Sequence, residues 1–485
     1  MPNVPNPFRN LPSVSHLMDS PQLKALVESA SHNVVVNGVR SFLDKMREQV
    51  SQAAASANFS IPSAIELAAR IADWIRTDDS PKLRPVINAT GILLHTGLGR
   101  SPLADEAIQS IAAIAGGYAS VEIDLESGER GHRTDAVRKL LCELTGAASA
   151  TVVNNNAAAT MLTLAAIAAG GEVICSRGQL VEIGGSYRLP DVMECSGAKL
   201  REAGTTNKTR LSDYEKAIGD QTKALLKVHP SNYRIVGFTE SVELEALVAL
   251  GRRKNLPVID DVGSGAMIDF SRYGLKDEPV VKDSIAAGAD LVLFSGDKLV
   301  GGPQCGIIVG RSDLIERIER HPLMRAFRVD KLCLAALVAT LRLYRDVSLA
   351  EQKIPLLTML STPIENLKFR AEKIASQLRG ISGLGSIEVR SGSSLLGGGT
   401  VPAQEVPSMQ IAIEPSGQTV DQLATRLRTG EPALIGRIQE NRLTLDLRTI
   451  APKFDTLVVR AFENAKSSPA ASIHMKANVP ETQLG

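Results

Sequence analysis

Along the middle of the chain, apolar residues gather in short unbroken runs separated by longer stretches with helical spacing. The runs at 151–153, 172–175, 224–228, 257–259, 290–294 and 307–309 read as buried strands. Between them, segments such as 135–144 and 243–254 repeat apolar residues every three or four positions, and 157–169 is apolar apart from its threonines. Buried strands alternating with helices predict a mostly parallel sheet covered on both faces.

The pattern changes toward both ends. Before residue 80 it predicts three helices: one opened by Ser20-Pro21 with Leu23, Leu26, Val27 and Ala30 on one face, a second with Val35, Val39, Phe42, Leu43, Met46 and Val50, and a third over 62–75 carrying Trp74. After a helix ending near Tyr344 and a linker with Pro355 and Pro363, apolar and polar positions alternate at 409–413 and 442–447, as in half-buried antiparallel strands. Leu395-Leu-Gly-Gly-Gly-Thr-Val-Pro402 is a glycine-rich turn between elements. The expected organisation is therefore a helical region over 1–80, an α/β large domain over 81–345, an α+β small domain over 346–466, and a disordered tail over 467–485.

Composition narrows the class. With 485 residues the chain has room for two or three domains, and 54 basic against 53 acidic side chains give no global excess to announce a nucleic-acid partner. The helical region is slightly acidic, seven Lys or Arg against eight Asp or Glu, so any basic face there would rest on Arg40, Lys45 and Arg47. Cys142, Cys175, Cys195, Cys305 and Cys333 are odd in number and form no C-x-x-C pair, so neither a disulfide framework nor a zinc site is read. His95, His132 and His321 lack ligand spacing, and no metal is assigned. The N-terminus shows no secretory pattern, and the longest apolar run is too short to span a bilayer. A cytoplasmic protein without a membrane partner is expected.

Chemistry concentrates at strand ends. Leu291-Val-Leu-Phe-Ser-Gly-Asp-Lys298 sets Lys298 just past a buried strand, before a glycine turn, where open α/β sheets hold their ligands. An amine there can form a Schiff base with a carbonyl cofactor, most often pyridoxal phosphate. That cofactor needs an acid for its ring nitrogen, and Pro257-Val-Ile-Asp-Asp261-Val-Gly offers two. Asp261 is preferred to Asp260 because it begins the commoner Asp-x-Gly turn, and alternation sends the two to opposite faces. The phosphate needs donors, and Asn154, Asn155, Asn156 and Ala157 end a strand and open an alanine-rich helix whose free N–H groups suit an anion. Ser295 adds a hydroxyl three residues before the lysine, and His229 with Ser231 and Asn232 closes another strand beside the cleft. Taken singly, each of these is more often a turn, a cap or a solvated loop residue; three successive strand ends in this order favour a site.

Val86-Ile-Asn-Ala-Thr-Gly-Ile-Leu-Leu-His-Thr-Gly-Leu-Gly-Arg100, Ser176-Arg-Gly-Gln-Leu-Val-Glu-Ile-Gly-Gly185, Gly204-Thr-Thr-Asn-Lys208 and Ser295-Gly-Asp-Lys298 carry a resemblance. Together the stretch from about Arg9 to about Ala465 resembles the bacterial L-seryl-tRNA(Sec) selenium transferases, also called selenocysteine synthases. Gly97 and Cys305 depart from that family's usual Asn and Ala. The resemblance implies a fold-type I pyridoxal-phosphate transferase in which Lys298 carries the cofactor and residues 1–80 recognise tRNA. It implies conversion of L-seryl-tRNA(Sec) to L-selenocysteinyl-tRNA(Sec) by loss of water through a dehydroalanyl-tRNA, followed by addition of selenium from selenophosphate. It also implies a homo-oligomer, by likeness a homodecamer. Arg100 and Arg328 match the family's motif arginines for the anionic donor, with Arg325 a weaker third. The alternative is a pyridoxal-phosphate lyase or transferase acting on a free amino acid, which would need an arginine such as Arg437 or Arg448 for the α-carboxylate.

Overall fold

A computed structural model describes residues 11–53, 62–79, 82–184, 187–467 of the chain, which divides into two compact units, Met1–Pro85 and Val86–Gly485. The tail expected beyond residue 467 lies outside the described residues. Among the described residues, no helix is long and apolar enough to cross a membrane.

The first unit contains the three expected helices as Pro21–Ser29, His32–Ala53 and Ala64–Asp79, preceded by the short helix Val14–Met18. Ser20 is the N-cap of the first expected helix and Pro21 its opening residue, as the sequence pattern requires. Their apolar stripes close on one another around Leu23, Val35, Leu43 and Ile71. Trp74 packs edge-on against Phe42 at 5.8 Å and lies under the Lys45 ammonium at 4.8 Å. Arg47 pairs with Asp44 one turn away, and Arg40, Lys45 and Arg47 are all exposed.

The second unit is built on a seven-stranded sheet. Its order is Ser149–Val153, Gly306–Gly310, Leu291–Ser295, Val258–Gly263, Thr222–Val228, Glu172–Ser176 and Lys199–Ala203. Only Gly306–Gly310 runs antiparallel to its neighbours. Side-chain alternation sorts the core into two layers. Ile259, Leu291 and Leu293 face the helices Asn156–Ala168, Leu189–Cys195 and Ser312–Arg320, whereas Val258, Val262 and Val292 face Asp135–Thr145, Leu244–Lys254 and Lys331–Leu343. This is the α/β architecture the sequence pattern predicts.

A second sheet of five strands follows, in the order Val86–Ala89, Ala433–Gln439, Arg442–Asp446, Thr400–Pro415 and Leu384–Gly397. The helices Ile364–Leu378, Val420–Thr429 and Asp455–Ser467 close its core. Val86–Ala89, within the stretch expected to open the large domain, is hydrogen-bonded instead into this C-terminal sheet. Ile354, Leu356 and Leu360, past residue 345, conversely pack in the core of the seven-stranded sheet.

The glycine-rich turn has a positional consequence. Gly397, Gly398 and Gly399 all take positive φ at the tip of the long hairpin, and a Cβ on Gly397 would come within 2.3 Å of Ile92. That close approach lets residues 91–94 pair with the hairpin, through Leu94 N–H to Leu396 O at 2.7 Å and Leu395 N–H to Gly91 O at 2.8 Å. The chain then turns through Thr96–Leu98 and delivers Arg100 to the cleft.

Candidate active site

Lys298 follows the end of strand Leu291–Ser295 in a turn that its own backbone pins. Gly302 N–H donates to Gly296 O at 2.9 Å, Gly301 N–H to Lys298 O at 3.0 Å, and Leu299 N–H to Ser264 O at 3.0 Å. A Cβ on Gly296 would lie 2.4 Å from Cys305 Sγ and 2.8 Å from the Pro303 carbonyl, so the position admits only glycine. The lysine is 5% exposed. Burial first, and then the nearby Arg100 guanidinium, pull its amine below the ordinary lysine range. A buried, readily neutral amine is the form that attacks a carbonyl.

Asp261 and Lys298 line one cavity of about 490 Å³. Asp261 Oδ1 accepts from Asn156 Nδ2 at 2.9 Å and Oδ2 from Thr160 Oγ1 at 2.9 Å. Burial pushes this carboxyl up, and the two donors and Lys298 pull it partly back. Asp260 faces the other layer, where the Ser284 hydroxyl and Lys227 attend it, and burial pushes it up to about 6. It does not line the cavity.

Asn156 opens helix Asn156–Ala168, so the N–H groups of Asn156 and Ala157 belong to a first turn without intrahelical acceptors. Both residues line the cavity with Asn155 and Ser295. Asn155 spends its side chain on capping, accepting from Ala158 N–H at 2.8 Å. Asn154 stands apart: its N–H donates to Phe327 O at 2.9 Å, and it is exposed outside the cavity.

Arg100 reaches the same cavity in a left-handed conformation, φ 62°, and pairs with Asp297 through Nη1 to Oδ2 at 2.7 Å. Arg325 and Arg328 do not join it. They line a separate cavity of about 410 Å³ with Arg130, Arg133 and His132. There Glu122 lies 2.8 Å from Arg130, 2.9 Å from Arg133 and 3.8 Å from Arg328, and the first two guanidinium groups hold its carboxyl down. The donor arginines grouped by motif are thus divided between two cavities of one chain.

Three neighbours of the site were not singled out from the sequence. Thr160 is one helical turn past Asn156, a spacing that could have found it. Asp297 adjoins the lysine and was legible only as part of the motif. Tyr187 lines the cavity too, its hydroxyl pushed well up by burial and by Asp261.

Comparison with known proteins gives the family. A family profile described as L-seryl-tRNA selenium transferase matches residues 86–451, and one described as selenocysteine synthase N terminal matches residues 8–47. The chain belongs to the L-seryl-tRNA selenium transferase family. An L-seryl-tRNA(Sec) selenium transferase of Carboxydothermus hydrogenoformans is 46% identical over 443 residues, 91% of this chain and 94% of that protein. One from Moorella thermoacetica is 47% identical over 461 residues, 95% and 97% of the two chains. Among solved structures, that of a D-glucosaminate-6-phosphate ammonia-lyase superposes with a TM-score of 0.54 at 22% identity, over 79% of this chain and 96% of that one. At that identity the likeness shows the fold alone. Within the family's matched span lie Arg100, Asp261, Lys298, Arg325 and Arg328.

Proposed function

We propose that this chain converts L-seryl-tRNA(Sec) to L-selenocysteinyl-tRNA(Sec), with selenophosphate as selenium donor and pyridoxal 5'-phosphate held on Lys298. The observation that carries the reading is a buried lysine sharing a cavity with a buried carboxylate whose oxygens accept from two neutral side chains, in a chain of this family. The donor set fits the cofactor. A buried carboxylate raised by desolvation gains from a cationic ring N–H beside it, which supports Asp261 as the partner of the ring nitrogen. The first-turn N–H groups of Asn156 and Ala157 and the Ser295 hydroxyl suit the phosphate.

Bound pyridoxal phosphate supplies an electron sink for the charge that develops at the seryl Cα. The Lys298 amine removes the Cα proton and later returns it. Asn156 and Thr160 fix the Asp261 carboxylate in place. Loss of water gives a dehydroalanyl-tRNA, and selenium adds at Cβ. Arg100 is the donor's anchor in this cavity; Arg325 and Arg328 serve the same anion only where a second copy joins the two cavities. We further assign tRNA recognition to the helical region 1–80, cofactor binding to 81–345 and the small domain to 346–466, in a cytoplasmic homo-oligomer, by family likeness a homodecamer.

The rival reading, a free amino acid as substrate, finds less support. Arg448 gives its guanidinium to the carbonyls of Pro407, Met359 and Thr362, and Arg437 leans on Asp446 at 3.8 Å; neither lines the Lys298 cavity. Incubating the protein with seryl-tRNA(Sec) and selenophosphate should yield selenocysteinyl-tRNA(Sec). Turnover of free serine with an inert tRNA ester would establish the rival instead. Removing residues 1–80 should spare borohydride trapping of the cofactor on Lys298 while abolishing tight, salt-sensitive tRNA(Sec) binding.

A further inference from the structure

Loss of water from a seryl group leaves one task unassigned. Hydroxide is a poor leaving group, so the Cβ–O bond breaks readily only as a proton reaches the oxygen. The described titratable side chains lining the cavity are Arg100, Tyr187, His229, Asp261, Asp297 and Lys298. Under the function proposed above, on which this inference rests, Lys298 and Asp261 are occupied. Asp297 already accepts from the Arg100 guanidinium at 2.7 Å. Burial makes the Tyr187 phenol a reluctant donor. His229 remains.

Its position is well defined. His229 follows strand Thr222–Val228, and its backbone N–H donates to Asp261 O at 2.9 Å, which ties the imidazole to the strand that carries the carboxylate. Its Nε2 lies 3.6 Å from Oε2 of Glu278, whose side chain is 2% exposed and whose other oxygen accepts from the Ser264 hydroxyl. Asp260 on the neighbouring strand feels the charge of both His229 and Lys227, the latter two residues before the histidine. The Glu278 carboxylate is thus the side chain that Nε2 of the ring faces, and it is a fixed one, since its second oxygen is held by Ser264. His229 also lines a second, larger cavity of about 660 Å³, which Glu278 and Lys227 share. It therefore stands between the Lys298 cavity and a route for replacing a proton.

We infer that His229 is the general acid of the elimination, with Glu278 positioning it. As the electrons of the Cα–H bond form the Cα–Cβ double bond, the Cβ–O bond breaks. The imidazolium then gives its proton to the departing oxygen, so that water leaves and neutral imidazole remains. Solvent in the larger cavity restores the proton, and no oxidant or further reactant enters the balance.

The test compares two leaving groups on the same tRNA(Sec): the seryl ester, whose hydroxyl needs a proton, and a β-chloroalanyl ester, whose chloride does not. Single-turnover elimination is read as the thioether formed with an added thiol, per cofactor trapped on Lys298 by borohydride, so that defects in folding or loading drop out. The wild-type rate on the seryl ester reports on the function reading by itself; the ratio between the esters reports on His229. His229→Gln should lower the seryl rate by about 100-fold and leave the chloro ester within about threefold of wild type. Glu278→Gln should show the same selectivity at about tenfold. Equal losses on both esters, or an unchanged seryl rate, would overturn the inference.

Discussion

The strand Val258–Gly263 buries a carboxylate on each of its faces, and the two faces differ in what lies beyond the side chain. Asp261 opens onto a cavity of about 490 Å³, with two neutral side-chain donors on its oxygens and a lysine that lines the same space. Asp260, one residue earlier, meets the Ser284 hydroxyl of helix Val281–Ala287 and the charge of Lys227, and it does not line that cavity. Burial raises both acids. A perturbed carboxyl therefore does not by itself mark a site; open volume with convergent partners does.

Lys298→Ala gives the largest break in that comparison, because it removes the only lysine on the cavity face of the described site. Borohydride reduction followed by peptide mapping should lose the pyridoxyl label at residue 298, and turnover should fall by at least about 1,000-fold. A label that persists on another lysine would move the site.

Next comes the pair of acids. Asp261→Asn should cost about 100-fold in turnover, since a neutral amide cannot hold a charged ring N–H. Asp260→Asn should keep turnover within a few-fold of wild type, because Asp260 does not line the cavity. Equal losses in the two variants would dissolve the distinction between the faces.

A smaller effect sharpens the boundary of the cavity. Arg100→Ala should raise the KM for selenophosphate by about 10-fold to 100-fold while borohydride trapping continues, as expected for one lost charge-assisted pair. Arg328 belongs to the other cavity, so its contribution can be separated by mixing subunits. Oligomers assembled from Lys298→Ala and Arg328→Ala chains should regain activity if Arg328 serves a neighbouring copy. Arg328→Ala with an unchanged KM would remove it from the donor site.

The sequence made the central sheet legible because buried parallel strands are continuous apolar runs, as at 291–294 and 307–309. It concealed Lys199–Ala203, an edge strand that carries Lys199, Arg201 and Glu202 and so lacks that signature. Most of the hairpin Leu384–Gly397 with Thr400–Pro415 was hidden as well, since Ser391, Gly392, Pro402 and Pro407 read as breakers until the partner strand is known. Val86–Ala89 looked like the start of the large domain; nothing local tells a four-residue strand that its partner lies at Ala433. At the site, Lys298, Asp261 and Asn156 were readable from strand ends. The separation of Arg100 from Arg325 and Arg328 was not, because motif spacing carries no information about which cavity a side chain enters.

The last effect is on stability rather than turnover, and it separates the two acids once more. Asp260 is raised from 3.8 to about 6, so between those values the folded chain keeps a proton that the unfolded chain releases. Stability is then fully present below about pH 4 and declines as pH rises through about 6. The loss is on the order of 3 kcal/mol for a shift of roughly two pH units. Asp260→Asn should flatten this slope in denaturant unfolding measured at pH 4.5 and pH 7, whether or not pyridoxal phosphate is present. Asp261 is raised in the same sense, so it adds to the slope of the cofactor-free protein. A ring N–H bound beside Asp261 would favour its ionised form and remove that share. Adding the cofactor should therefore reduce the remaining slope in Asp260→Asn. A slope that ignores the cofactor would mean that Asp261 does not meet the ring.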